Sequence, residues 1–313
     1  FAADLGVPLY ASPFTATLIR GKLVEEGIDD IVELNVIPME GSFALGPFGF
    51  RFKTLAHSIL EMSACVIDTP YGTIFHTGDW KLDEVPVIGT PSTAEGLKAI
   101  GDKGVLALVC DSTNAFNAGD SGSEGSVKAD LLKSVKAAKG RVLLTTFASN
   151  AARLQTMGEV ARESGRTLCF AGRSLHRIIE AAQANGYLKD MPKTVDMESV
   201  DGLARHEVMV VATGGQGEAR AALARIAEGN HPVKLEEGDT VIFSSKQIPG
   251  NEIAIGVIMN ILAERNILTV TEKQAHVHVS GHPGQPELAT LYDWIRPEVL
   301  IPVHGERRHM AEQ

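Results

Sequence analysis

The chain of 313 residues is poor in cysteine and in aromatic residues, carries no excess of basic charge and has no long apolar run. Its three cysteines, Cys65, Cys110 and Cys169, are odd in number and far apart. This usage argues against a disulfide scaffold and favours a reducing compartment, so we expect a cytoplasmic protein. No segment has the roughly 18 uninterrupted apolar residues of a membrane helix, and the first residues do not resemble a signal peptide, so no membrane partner is expected.

The charge balance is acidic, with a formal net charge of −10. It argues against a protein coated in basic patches, but it does not exclude nucleic acid, because metal ions and a local groove can hold phosphates on an acidic protein. Hydrophobic residues make up 44% of the chain and charged residues 22%, which is ordinary for a soluble globular protein. The length allows two domains, each with its own core.

The periodicity changes along the chain. A short strand is predicted at VPLYAS and a helix at PFTATLIRGKLVEEG. Residues 31–80 alternate apolar runs with turns, which predicts an antiparallel sheet with a hairpin at TPYGT. GVLALVCDST predicts a buried strand. The runs RVLLTTF, TLCFAG, EVMVVATGG and DTVIFSSK each precede a helical pattern, which predicts a parallel α/β domain of about 150 residues. HVHVSGH and VLIPVH are predicted as closing strands, so sheet-rich parts flank an α/β insertion.

Five polar residues follow apolar runs or glycine turns, where strand ends deliver side chains to a common site: His57, Asp79, Asp111, His282 and His304. Three imidazoles and two carboxylates are donors that zinc or manganese prefers, and no cysteine pair competes. Taken singly, each has a plain alternative: a hydrogen-bonded strand-end histidine, a turn aspartate or a capping aspartate. The conjunction predicts a metallohydrolase.

A second group of residues lies at junctions between a predicted strand and the next helix, where backbone N–H groups and a positive helix end face an anion. These candidates for phosphate binding are Ser149, Asn150, Arg173, Ser174, Gly217 and Ser245. Routine caps and turns are the alternative for each. In HVHVSGH the alternation places His276, His278, Ser280 and His282 on one face if the segment is a regular strand.

The motifs AHSI, HTGD, DSTN, TFASN, GRS, TGGQGE, IPGNE, HVSGH and PVHGE, in this order, resemble those of the ribonuclease J family. The resemblance runs along the whole chain. It implies an α/β fold, an αββα metallo-β-lactamase core with an inserted parallel α/β β-CASP domain. The implied domains are 1–121 and 285–313 for the core and 122–284 for the β-CASP domain.

The resemblance also implies roles for individual residues. His57, Asp79 and His304 would be metal ligands, with Asp79 bridging two divalent ions, zinc first and manganese or magnesium as alternatives. His282 would contact the scissile phosphate, and Asp111 would be the acidic residue that supports the site. The residues in segments that would bind RNA or its 5′-phosphate are Ser149, Ser174, Ser245, His278 and Ser280.

The implied activity is metal-dependent hydrolysis of single-stranded RNA in RNA decay and processing, 5′-to-3′ from a 5′-monophosphate and also endonucleolytic. A homodimer or homotetramer and partners in RNA degradation are implied as well. The low aromatic content, 5%, favours binding through the RNA backbone over stacking on the bases.

The family's His-x-His-x-Asp-His signature, expected just upstream of Phe1, and its usual C-terminal domain are not in this sequence, which offers too few ligands for two metals. We expect the natural protein to have further residues that supply them; the alternative is a catalytically empty fragment. Two alternatives stay open. One is a hydrolase of the same fold acting on a small ester or thioester; the other is a non-catalytic RNA-binding subunit of the same family.

Overall fold

The computed structural model describes residues 2–248 and 250–313 and divides into two compact units. The first unit contains the residues up to Ser123 together with Ser280–Gln313, and the second contains Glu124–Val279. The predicted domain boundaries, 1–121, 122–284 and 285–313, stay a prediction.

The first part of the first unit contains, in chain order, α1 (Ala2–Leu5), β1 (Leu9–Ala11), α2 (Pro13–Glu26), β2 (Leu34–Val36), β3 (Ser42–Leu45), β4 (Phe48–Thr54), β5 (Ser63–Thr69), β6 (Gly72–His76), α3 (Ala94–Gly101) and β7 (Ala107–Asp111). The second unit contains α4 (Lys128–Ala137), β8 (Val142–Thr145), α5 (Ala151–Ser164), β9 (Thr167–Ala171), α6 (Arg173–Ala184), β10 (Val208–Ala212), α7 (Ala222–Ala227), β11 (Thr240–Phe243), α8 (Glu252–Glu264) and β12 (Leu268–Val270). The first unit then resumes with α9 (Gln285–Ile295), β13 (Val299–Val303) and α10 (Arg307–Glu312).

The main sheet of the first unit has the order β13-β7-β6-β5-β4-β3. Strands β3 to β6 are antiparallel and β6, β7 and β13 are parallel, which confirms the predicted antiparallel region and the buried strand GVLALVCDST. The prediction was wrong for Leu34–Val36, which pairs in parallel with Leu9–Ala11 in a separate two-stranded sheet. The crossover helix α2 joins these two strands, and a helical crossover brings a strand back in the parallel sense.

The core of the first unit lies between this sheet and helices α3 and α9. Phe75 and Leu108 from the sheet, Leu97 from α3 and Leu291 from α9 are completely buried in it, as is Trp80 from the loop after β6. The sequence reading did not identify α3 or α9. Since α9 begins three residues after His282, this packing anchors the segment that contains that histidine.

The second unit is a five-stranded parallel sheet of order β12-β11-β8-β10-β9 with helices between successive strands. This confirms the four predicted strand–helix repeats. Strands β8, β10 and β11 are buried along their whole length, as expected for a parallel sheet covered on both faces. Their carboxyl ends share one edge, where the predicted phosphate-binding junctions begin.

The prediction of a strand over HVHVSGH was wrong, because residues 276–282 pair with no strand of the described chain. The carbonyl oxygen of Val277 instead accepts hydrogen bonds from Arg153 Nη1 at 3.0 Å and from Ser244 Oγ at 2.7 Å. Side chains therefore take the place of a ladder partner, and His276, His278, Ser280 and His282 do not share a strand face. Among the described helices, none is both long and apolar enough to cross a membrane.

Candidate metal centre

Three adjacent parallel strands deliver polar side chains to one edge of the first unit's sheet. Asp111 is the last residue of β7, and it is in register with Val303, the residue that precedes His304. Asp79 follows β6, the other neighbour of β7, by three residues. The carboxyl ends of parallel neighbours meet at the same edge, so the three side chains converge.

A short bridge between two loops brings His57 to Asp79. Lys81 N donates to the Ala56 carbonyl at 2.8 Å, and the two residues form an isolated antiparallel pair. His57 follows Ala56 directly, and Asp79 lies two residues before Lys81. His57 Nε2 lies 3.9 Å from Asp79 Oδ2 as a result.

Asp79, Asp111, His282 and His304 each place one oxygen or nitrogen donor atom so that all four lie within 4.8 Å of one another. His304 Nδ1 is 3.0 Å from Asp79 Oδ1 and 3.3 Å from Asp111 Oδ1. The ring of His282 lies between those of His57 and His304, with centroids 4.9 Å and 5.4 Å away. All five predicted anchors are therefore neighbours.

Asp111 is completely buried, and its hydrogen bonds fix its charge state. Burial alone would raise its pKa, but hydrogen bonds from His282 and Thr113 outweigh burial, and the net pKa lies below its ordinary value of 3.8. An ionised carboxylate only accepts hydrogen bonds, so His282 Nδ1, at 2.6 Å from Asp111 Oδ2, must carry the proton. This leaves the lone pair of the His282 ring on Nε2.

His57 is oriented by a backbone carbonyl. Its Nδ1 lies 2.7 Å from the oxygen of Gly281, which only accepts, so Nδ1 carries a proton and Nε2 points to Asp79. A side chain at Gly281 would place its Cβ 2.5 Å from Ser58 Oγ and 2.8 Å from the imidazole, so glycine is required for this approach. Burial lowers the pKa of His57 below 6.5, which keeps the ring neutral, the form that binds metals.

His304 has a left-handed backbone, with φ of 54°. For a residue other than glycine this conformation costs on the order of 1–3 kcal/mol and persists where the surroundings enforce it. Thr113 contributes, since its hydroxyl oxygen lies 2.8 Å from the carbonyl oxygen of His304 and 2.6 Å from Asp111 Oδ1, and its one proton can be donated to either of them. Strain of this kind concentrates at functional sites.

Sequence reasoning named the DSTN motif but missed what its last two residues do. Thr113 bonds both Asp111 and His304, as above, and Asn114 Nδ2 donates to the His282 carbonyl at 3.0 Å and to Ser280 Oγ at 2.6 Å. Ser280, a predicted RNA-binding residue, is thus engaged with Asn114. Two polar residues directly after a strand-end aspartate were the available signal.

In the second unit, a cavity of about 110 Å³ opens at the carboxyl edge of the parallel sheet. Among the residues that line it are Thr146, Ser174, Thr213, Gln216 and Ser245. The hydroxyl oxygens of Thr146 and Ser245 are buried and have no hydrogen-bond partner among the described residues. A buried hydroxyl without a partner is costly, so this cavity suits a polar ligand or water. Glu218 also lines it, and its carboxylate accepts the N–H of Gln216 at 3.0 Å.

The remaining predicted phosphate-binding residues are not among those that line this cavity. Asn150 caps α5, its Oδ1 accepting the N–H of Arg153 at 2.9 Å. Gly217 has φ of 81° and lies against α8, where a Cβ would come within 2.6 Å of Ala254. Arg173, at the start of α6, is exposed, whereas Ser149 and His278 are partly buried. The described contacts do not test the RNA-binding role of any of these five residues, and those roles stay predictions.

Comparison with known proteins shows which family the chain is similar to. Residues 139–262 match the ribonuclease J β-CASP domain, and residues 269–313, which include His282 and His304, match the zinc-dependent metallo-hydrolase RNA specificity domain. The chain contains a ribonuclease J β-CASP domain and is similar to ribonuclease J proteins along nearly its whole length. The predicted α/β metallo-β-lactamase fold with a β-CASP insertion is confirmed.

Ribonuclease J of Sinorhizobium meliloti is 42% identical over 308 residues, covering 98% of this chain and 55% of that protein. Ribonuclease J of Corynebacterium glutamicum is 42% identical, covering 97% and 42%, and that of Thermus thermophilus is 38% identical, covering 99% and 54%. The chain therefore spans about half the length of these curated relatives. A solved protein of unknown function from Enterococcus faecalis has the same fold, with a TM-score of 0.66 at 16% identity over 98% of this chain and 72% of that one.

The donor set fits the divalent metal that a zinc-dependent hydrolase family requires. The donor atoms are carboxylate oxygens of Asp79 and Asp111 and imidazole nitrogens of His282 and His304, all within 4.8 Å of one another, and His57 Nε2 lies 3.9 Å from Asp79 Oδ2. Histidine and carboxylate donors of this kind suit zinc and its neighbours in the first transition series.

Proposed function

We propose that this ribonuclease J relative is a metal-dependent ribonuclease that hydrolyses phosphodiester bonds of single-stranded RNA. The proposal rests on one observation: five polar side chains converge after the ends of β4, β6, β7 and β13 and in the loop before α9. These side chains are His57, Asp79, Asp111, His282 and His304. The finer assignment is two zinc ions, with Asp79 between them and His57 and His304 as further ligands.

A divalent ion held there would act as a Lewis acid on the phosphate and would lower the pKa of a water nucleophile. The chain's own residues would orient the reacting groups and transfer protons. Buried Asp111 keeps the proton of His282 on Nδ1, which aims Nε2 at the reacting group. From Nε2 the ring can hold a proton for a phosphoryl oxygen or the leaving oxygen.

The cavity of the second unit supports a site for an RNA phosphate. The hydroxyls of Thr146 and Ser245 would donate to its oxygens, and Ser174 lies at the amino end of the twelve-residue helix α6. Helix amino ends attract anions. Capture of a 5′-monophosphate in this cavity would favour 5′-to-3′ cutting, with endonucleolytic cutting as a second mode.

The broader predictions belong to the same proposal: a role in RNA decay and processing, a homodimer or homotetramer, and domains at 1–121, 122–284 and 285–313. The cytoplasmic location predicted from the cysteines also stays a prediction.

The test is to measure the metal content of the purified natural protein together with hydrolysis of a 5′-monophosphorylated single-stranded RNA. We expect about two metals per chain, and loss of both metal and activity in Asp79→Ala, because Asp79 lies between His57 and His304. Asp102→Ala is the control, since Asp102 is an exposed residue paired with Arg296. It should keep metal and activity.

Two results would contradict the proposal. Metal-free protein that binds RNA without cutting it would favour the non-catalytic RNA-binding subunit. Hydrolysis of a small ester but not of RNA would favour the other hydrolase of the same fold.

A further inference from the structure

Glu287 is a buried carboxylate in the first unit that lies outside the group of proposed metal ligands. It is the third residue of α9, and only 6% of it is exposed. The segment HPGQPE places it five residues after His282. A charged side chain this deep needs hydrogen-bond partners.

Four hydrogen bonds satisfy it, and they come from three separate stretches of chain. Oε1 accepts the N–H of Leu82 at 3.0 Å and the hydroxyl of Ser121 at 2.8 Å. Oε2 accepts the N–H of Ser121 at 2.9 Å and that of Gly284 at 2.8 Å. Two oxygens with two donors each leave the carboxylate saturated, an arrangement that an amide cannot reproduce.

Two of these donors lie next to the candidate metal centre along the chain. Leu82 comes three residues after Asp79, and Gly284 comes two residues after His282. The Asp79 loop and the His282 loop are far apart in sequence, yet one carboxylate holds a backbone N–H from each. A short, charge-assisted bond to both loops limits their independent movement.

Neighbouring contacts tie the same stretches together. Lys81 Nζ donates to the carbonyl of Gly122 at 2.7 Å, and Ser123 Oγ donates to Asp83 Oδ1 at 2.9 Å. The loop after Asp79 is therefore bound to residues 121–123 on both sides of Leu82. Glu287 adds the connection to the His282 loop.

We propose that Glu287 is a positioning residue that holds the Asp79 loop and the His282 loop in one fixed arrangement, so that their donors reach a metal together. The inference rests on the metal-dependent hydrolysis proposed above. A residue that merely capped α9 would need only the bond to Gly284, whereas three of the four bonds go to residues outside that helix.

The experiment compares wild-type protein with Glu287→Gln, which keeps size and shape but turns one acceptor oxygen into a donor. Three quantities are measured: Mn²⁺ affinity by titration of the metal-free protein, kcat and KM on RNA, and amide hydrogen exchange. Thr93→Ala is the matched control, because it removes a side-chain cap from α3 in the same unit and lies outside residues 80–84 and 282–285, where exchange is compared.

We expect Glu287→Gln to bind Mn²⁺ about 10-fold more weakly and to lose kcat with little change in KM, because the ligands lose their mutual placement. Exchange should quicken together in residues 80–84 and 282–285. Thr93→Ala should lower the melting temperature without these effects. A folded Glu287→Gln protein with wild-type Mn²⁺ affinity, or with losses equal to those of Thr93→Ala, would overturn the proposal.

Two further measurements keep the inference testable if Glu287→Gln does not fold. Ser121→Ala removes one of the four bonds and should show the same pattern in weaker form. In the wild-type protein, the amides of Leu82 and Gly284 should open with the same free energy, since one carboxylate protects both. Clearly different opening free energies would refute the coupling. Failure of the wild-type protein to bind Mn²⁺ would refute the proposed function instead, while the exchange result would still decide the coupling.

Discussion

Replacing Asp111 by Asn tests whether the buried carboxylate sets the proton position on His282. The wild-type carboxylate accepts from Thr113 through Oδ1 and faces His282 Nδ1 through Oδ2. Asparagine can keep the Thr113 bonds on its oxygen, but its NH₂ group would then face Nδ1. His282 would have to become an acceptor at Nδ1 and carry its proton on Nε2. We expect activity to fall by about 10²- to 10⁴-fold, the usual contribution of a correctly protonated acid–base group.

The cost in stability should be much smaller than the cost in rate. One charge-assisted hydrogen bond is lost, which corresponds to about 1.5–3 kcal/mol in the free energy of unfolding. RNA hydrolysis under single-turnover conditions and urea unfolding measure the two effects. Asp68→Asn is the control, because Asp68 is a half-exposed carboxylate of the same sheet that pairs with Arg51. An Asp111→Asn protein that keeps activity within about threefold of wild type would refute the reasoning.

Two further predictions concern His57 and the cavity of the second unit. Because burial lowers the pKa of His57 in the folded protein, the unfolded chain takes up the proton first, so the metal-free protein should lose stability as the pH falls below 6.5. Thermal unfolding of wild type and His57→Gln between pH of about 7.5 and 5.5 measures this, and equal pH slopes would contradict it. Ser245→Ala should weaken RNA binding by about 10-fold without changing its salt dependence, because a hydroxyl bonds a phosphate but releases no counterion. Fluorescence titration at several salt concentrations tests it against Ser164→Ala, whose hydroxyl bonds only carbonyls of its own helix, and equal affinities of the two variants would count against the cavity.

Much of the fold could be predicted because its elements have local signals. The apolar runs at Val142–Thr145 and Val208–Ala212 are each followed by a helical pattern, and the parallel sheet follows from that alternation. The antiparallel region was predicted from its turns. HVHVSGH was misread because alternation alone does not provide a ladder partner. The carbonyl of Val277 is bonded by Arg153 and Ser244, and no local pattern indicates contacts so distant in sequence.

The candidate site, too, could be predicted only in part. The anchors His57, Asp79, Asp111, His282 and His304 could be named because each follows a recognisable strand or turn. Their protonation states could not be predicted, since these depend on hydrogen-bond partners such as the carbonyl of Gly281. The role of Glu287 was also out of reach, although a glutamate three residues after a glycine at a helix start was a usable capping signal.

The sequence alone determined which residue types stand at the strand ends and, through periodicity, that parallel strands bring several of those ends to one edge. Tertiary structure decided the distances and the charges. The burial of Asp111, the neutral ring of His57 and the left-handed backbone of His304 all arise from contacts between segments remote in sequence. Periodicity is a property of neighbouring residues, whereas burial and hydrogen-bond partners exist only once the chain has packed.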